Sequence, residues 1–158
     1  MPADFRKDLI AQMKNRALIY METYDVLAEE LGAAKAEALL TKAIYRRGLS
    51  AGKSLARHAP DDLAGLKTSF LANVPGGEEI FQPEVLRCDR DRLEMQLHGC
   101  PLKDAWREAG LPEEKVATLC RIAGAVDKGL FEGAGFRFEN RTWTPGAKGC
   151  CFLSVRRG

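Results

Sequence analysis

The chain has 158 residues, 46% hydrophobic and 29% charged, the balance of a soluble domain able to bury a core. Its 24 basic and 22 acidic side chains leave a net charge of +2 with the basic residues scattered, which argues against a nucleic-acid footprint, and no apolar run reaches the roughly 18–20 residues of a membrane helix. The opening stretch MPADFRKDLIAQ carries charges where a signal peptide keeps its apolar centre, so a cytoplasmic location is expected.

The first half reads as helix. Phe5, Leu9, Met13, Ala17, Tyr20, Tyr24, Leu27 and Leu31 recur every three or four residues, as one stripe of a long helix does. That amphipathic helix can serve a homodimer as well as a core. Gly32 interrupts it, and a second helix is expected from about Ala34 to Arg57, with Leu39, Leu40, Ala43, Ile44 and Leu55 on its apolar side. Gly48 and Gly52 mark either a close helix–helix approach or a break. Asp61 or Asp62 can cap a shorter helix through Leu63, Leu66 and Phe70, and the Asn73–Gly77 stretch is a loop.

From Glu84 the period changes to two. Val85 to Cys88 and Leu93 to Leu97 form a hairpin around Asp89-Arg90-Asp91. Pro101 to Ala109 is a short helix opened by proline and stopped by Gly110. Pro112 opens a longer helix with Val116, Leu119, Ala123, Val126 and Leu130 inward. Phe136 to Trp143 and Cys150 to Val155 then alternate as a second hairpin. The expected fold is α+β: N-terminal helices, then a β-hairpin, two helices and a β-hairpin, with an antiparallel sheet of about four strands. One domain over 1–158 is expected, with a helical part at 1–75 and a mixed part at 84–158.

The five cysteines, Cys88, Cys100, Cys120, Cys150 and Cys151, all lie in the mixed part. Their odd number prevents complete pairing within the chain, and a reducing compartment favours thiols. Cys100 precedes Pro101 and so sits at a helix start, where backbone N–H groups and the helix dipole lower a thiol pKa. His98, two residues earlier, is a candidate base beside it. Packing, metal ligation and nucleophilic attack all remain open for Cys100. A small buried thiol near a surface histidine fits the same residues.

Cys120 and Asp127 are seven apart and share a helix face. A thiol aligned with an acid suggests a pocket, or a salt bridge from the acid to Arg121 or Arg137. A core cysteine and an exposed aspartate is the simpler arrangement. Cys150 and Cys151, as strand neighbours, are expected on opposite faces, so that only one joins the site. Zinc can be assembled from Cys100, Cys120 and Cys150 or Cys151 with Asp127, Glu139 or His98, although no C-x-x-C pair is present.

Residues 98–153 resemble the L-2-amino-thiazoline-4-carboxylic acid hydrolase family. The resemblance lies in Cys100-Pro101-Leu102-Lys103 with Trp106 and Gly110, in Leu119-Cys120 followed by Asp127, and in Gly149-Cys150-Cys151-Phe152. That family is distantly similar to the vinyl-reductase-like sensor domains, which are α+β and can carry a cysteine-rich zinc site. The comparison makes Glu139 and Cys150 candidate ligands, while Thr142 stands where a further cysteine is expected. The resemblance implies hydrolysis of a non-peptide C–N bond in a cyclic amidine, by cysteine- or metal-assisted attack. Cys100, His98, Asp127 and Cys120 are the implied catalytic candidates. Arg121, Arg137 and Trp106 are the candidates for binding a small-molecule substrate. The alternative is a non-catalytic module that binds a small ligand or zinc.

Overall fold

The computed structural model describes residues 2–158. Helix α1 spans Ala3–Leu31 and helix α2 spans Ala33–Gly52. Gly32 separates them at φ +84°, a backbone state that stops the first helix. Only Met13 and Ala17 of the α1 stripe are fully buried, while Leu9, Tyr20, Tyr24 and Leu27 pack partly against the same core. Phe5 and Leu31 at its two ends are exposed, because a helix about 43 Å long outreaches its neighbours. In α2, Leu39 is also exposed, and the helix tightens at Lys53 into a 3₁₀ turn, Lys53–His58, rather than continuing to Arg57.

Helix α3 spans Leu63–Asn73 and is capped by Asp62, whose Oδ1 accepts the Gly65 N–H at 2.8 Å. The other Asp62 oxygen lies 2.7 Å from His58 Nδ1, and His58 Nε2 lies 2.8 Å from Ser69 Oγ. The hydrogen bond from His58 and the Gly65 amide hold the Asp62 carboxyl below its ordinary range. This chain of three side chains ties the 3₁₀ turn to α3. A short helix α4, Glu78–Phe81, follows the Asn73–Gly77 stretch.

Four antiparallel strands follow the expected pattern: β1 Pro83–Cys88, β2 Arg92–Leu97, β3 Arg137–Arg141 and β4 Phe152–Arg156. Their order in the sheet is β1-β2-β4-β3, so β4 enters between the first hairpin and β3. Alternation decides the faces. Leu93, Met95 and Leu97 of β2 turn inward with Leu153 and Val155 of β4, against Leu63, Leu66 and Phe70 of α3. Phe131 joins this core between Phe70 and Phe138, with ring centroids 5.1 and 5.0 Å away.

Helix α5 spans Pro101–Glu108 and α6 spans Glu113–Gly133. Helix α6 packs on the sheet on one side and crosses α2 on the other. The α2–α6 crossing is close because four glycines line it. Gly48 and Gly52 face Gly129 and Gly133, and a Cβ built on Gly129 would lie 2.2 Å from the Tyr45 carbonyl oxygen. The paired glycines therefore mark a close approach. No helix among the described residues is long and apolar enough to cross a membrane.

Candidate functional site

The Cys120 face of α6 forms one wall of a cavity of about 380 Å³. Cys120, Ala123, Gly124, Asp127 and Leu130 line it over roughly 15 Å of helix. Trp106 and Leu102 of α5 close one side, and Leu55, Phe70 and Val74 close another. Four thiols, Cys100, Cys120, Cys150 and Cys151, share this wall with Asp127. The other polar side chains on it are Arg16, Ser54 and Asn73.

Local structure fixes each thiol. Gly99 lies against α4, where a Cβ would meet the Ile80 carbonyl oxygen at 2.3 Å, and its N–H donates to Phe81 O at 3.1 Å. That contact holds Cys100 at the start of α5, where its carbonyl accepts the Asp104 N–H at 3.0 Å. Cys150 and Cys151 correct the expectation of opposite faces. Strand β4 begins only at Phe152, and Gly149 turns the preceding chain at φ +74°. Both thiols therefore reach the cavity, with their Sγ atoms 3.1 Å apart. Two bonds to β2 pin the pair: Cys150 N–H to Leu97 O and Leu97 N–H to Cys151 O, both 2.8 Å. Lys103, only 8% exposed, adds a third tie by donating from Nζ to Gly149 O at 2.8 Å.

Cys100, Cys120 and Cys150 are held neutral at ordinary pH, contrary to the expected helix-start thiolate at Cys100. A hydrogen bond with Cys150 and burial raise the Cys100 pKa well above that of a free thiol, and the Lys103 and Leu102 amides do not offset them. Burial and the nearby Cys100 push Cys120 up to about 12. At Cys150 the hydrogen bond with Cys100 lowers the pKa, but the Cys151 contact and burial outweigh it. Iodoacetamide at pH 8 should accordingly modify Cys100 and Cys120 slowly in the native protein and fast in denaturant. Mass-resolved peptide counts over time would show this, and rapid native labelling of Cys100 would contradict it.

Asp127 differs in kind. Burial raises its carboxyl to about 7, against a partial opposing pull from Arg16. Near neutrality it is present both as acid and as carboxylate, in the same cavity as the thiols. Trp106 also lines the cavity, but its indole N–H is spent on the Ala17 carbonyl at 2.8 Å. It therefore offers a ring surface and no donor.

The remaining sequence candidates lie elsewhere. His98 points outward from the end of β2 and meets Glu84 Oε2 at 2.7 Å, because Gly99 breaks the strand phase that would align it with Cys100. Arg121 sits on the exposed side of α6, bonded to Glu37 at 3.0 Å and to Thr118 at 3.0 Å. Arg137 lines a separate surface cleft with Arg156, Arg157 and Asp91. Glu139 is on the edge strand β3, 3.9 Å from Arg156. Among the described residues no three His, Cys, Asp or Glu side chains converge as ligands, so the donor set proposed for zinc does not fit one ion. The sequence reading missed Arg16, which enters the cavity from α1, about a hundred residues from the cysteines.

The sequence model of the L-2-amino-thiazoline-4-carboxylic acid hydrolase family matches residues 12–153. No curated protein matches the chain. Among solved structures, the chain is similar to a trafficking protein particle complex subunit 3 from Naegleria fowleri, covalently bound to palmitic acid. The TM-score is 0.61 at 14% identity, covering 94% of this chain and 96% of that one. It is also similar to the phenol-responsive sensory domain of the transcription activator PoxR, solved with phenol. There the TM-score is 0.55 at 15% identity, covering 89% of this chain and 73% of the other. At such identities the likeness is one of fold.

Proposed function

This chain belongs to the L-2-amino-thiazoline-4-carboxylic acid hydrolase family, and we propose that it takes a cyclic amidine into the thiol-walled cavity and hydrolyses a C–N bond there, with Asp127 moving the proton. The observation that carries this reading is the half-buried Asp127 carboxyl, raised by desolvation to about 7 on the wall of an apolar cavity. A general acid–base group works best when its pKa lies near the working pH. The carboxylate form also suits an amidinium, through charge-assisted hydrogen bonds.

Carbon 2 of an aminothiazoline, flanked by nitrogen and sulfur, is electrophilic. In this reading water adds to that carbon and gives its proton to the Asp127 carboxylate. The resulting acid returns the proton to the departing nitrogen as the C–N bond breaks. Cys100, Cys120 and Cys150 stay neutral and do not attack, because too little thiolate is available at neutral pH.

Turnover of 2-amino-thiazoline-4-carboxylate by the purified chain tests the reading. Cys100→Ser should keep most of kcat, since it leaves Asp127 and the water route intact. If Cys100→Ser is as inactive as an Asp127 variant, the thiol is the nucleophile and the water route fails. A second reading is a ligand-binding module without turnover, supported by the largely apolar lining and by the fold it shares with a phenol-responsive sensory domain. Saturable binding with no product released would favour it.

A further inference from the structure

Resting on the reading that this cavity is the ligand site, we propose that Arg16 is its anion anchor, and that the natural ligand is an organic carboxylate whose apolar body exceeds an unsubstituted thiazoline ring. Arg16 lies on α1 between the buried Met13 and Ala17, at the edge of the inward face. Its guanidinium is the one cation among the lining residues. Arg121, by comparison, is held by Glu37, and Arg141 lies over the Phe152 ring at 4.4 Å. Arg16 forms no hydrogen bond or ion pair with the described residues, and its electrostatic influence falls on Asp127. A cation at the solvent-facing edge of an apolar cavity favours an anionic ligand end. The planar fork of arginine fits a carboxylate through two parallel bonds.

Size and lining define the rest of the ligand. At about 380 Å³ the cavity lies in the range of sites that take drug-sized ligands, roughly 300–1,000 Å³. An unsubstituted thiazoline acid is smaller than such a ligand. The lining includes Leu55, Phe70, Val74 and Leu130, which suit an alkyl or aryl group.

Calorimetric titration at pH 7.5 tests both parts. The ligands are acetate, octanoate and decanoate with octanamide and decanamide. The proteins are the wild type, Arg16→Gln and Arg16→Lys. Each added methylene should tighten binding about fourfold. The acids should bind the wild type at least about tenfold more tightly than their amides, the worth of a charge-assisted pair. Arg16→Gln should erase that preference while still binding the amides, which also shows that it is folded. Arg16→Lys should keep part of it. An unchanged acid preference in Arg16→Gln overturns the anchor. Acetate binding as tightly as decanoate overturns the apolar body. If no acid or amide binds, and none slows alkylation of Cys120, the cavity is not the ligand site and the reading beneath this proposal falls with it.

Discussion

Replacing Asp127 by asparagine should abolish turnover and, at pH 8, make the protein more stable. The activity loss follows from the role of the carboxyl as proton carrier, worth about 10²–10⁴-fold in kcat for a general acid–base group. The stability gain follows from linkage. In the unfolded chain an aspartate titrates near 3.9, whereas burial raises Asp127 to about 7 in the fold. Between those values the native state binds more protons than the unfolded state, so stability falls as pH rises. The loss is complete above the folded pKa and amounts to about 4 kcal/mol for a shift of this size. Asparagine has no charge to desolvate. Urea unfolding of both proteins from about pH 4.5 to 7.5, below the thiol range, should therefore show a downward slope in the wild type that the variant lacks. A variant less stable than the wild type at pH 8 would mean that the carboxylate is well solvated or paired.

The second large effect lies in the backbone contact that holds the α6 wall in place. Gly129→Ala would set a methyl 2.2 Å from the Tyr45 carbonyl oxygen, 2.8 Å from the Leu49 nitrogen and 2.9 Å from the Gly48 Cα. Gly48→Ala meets the Val126 carbonyl oxygen at 2.3 Å. These neighbours are helix backbone and cannot rotate away, so α2 and α6 must separate. A loss of about 3 kcal/mol or more is expected for either change, at the upper end of overpacking effects. Because both act by spreading the same pair of helices, the double variant should lose less than the sum. Denaturant midpoints measure this. An unchanged midpoint for Gly129→Ala would refute the close crossing.

Most of the elements were legible because each carries its own period. The spacing of three and four in α1 and α6 and the alternation in β2 depend on local geometry alone. So does the shared face of Cys120 and Asp127, which the helix repeat dictates at any depth of burial. The features that escaped are products of tertiary contact. Cys100 does sit at a helix start, yet its thiol is raised by Cys150, which is fifty residues away and arrives only when β4 enters the sheet. The joint inward turn of Cys150 and Cys151 hinges on Gly149, whose positive φ delays the strand by two residues. Arg16 has no local signature, since an arginine beside a buried stripe is ordinary on any surface helix. Arg121 and Arg137 stood nearer in sequence to the cysteines but are held by other partners or lie on another face.

The most direct test of the central claim is a ¹³C-NMR titration of the Asp127 carboxyl, assigned by its absence in Asp127→Asn, with and without a saturating cyclic amidine. A desolvated acid in the ligand cavity should titrate near 7 in the free protein. Its pKa should fall when an amidinium is bound, because an opposite charge favours the carboxylate. A value near 4 that the ligand leaves unchanged would contradict the account, since Asp127 would then be neither desolvated nor in contact with the bound molecule.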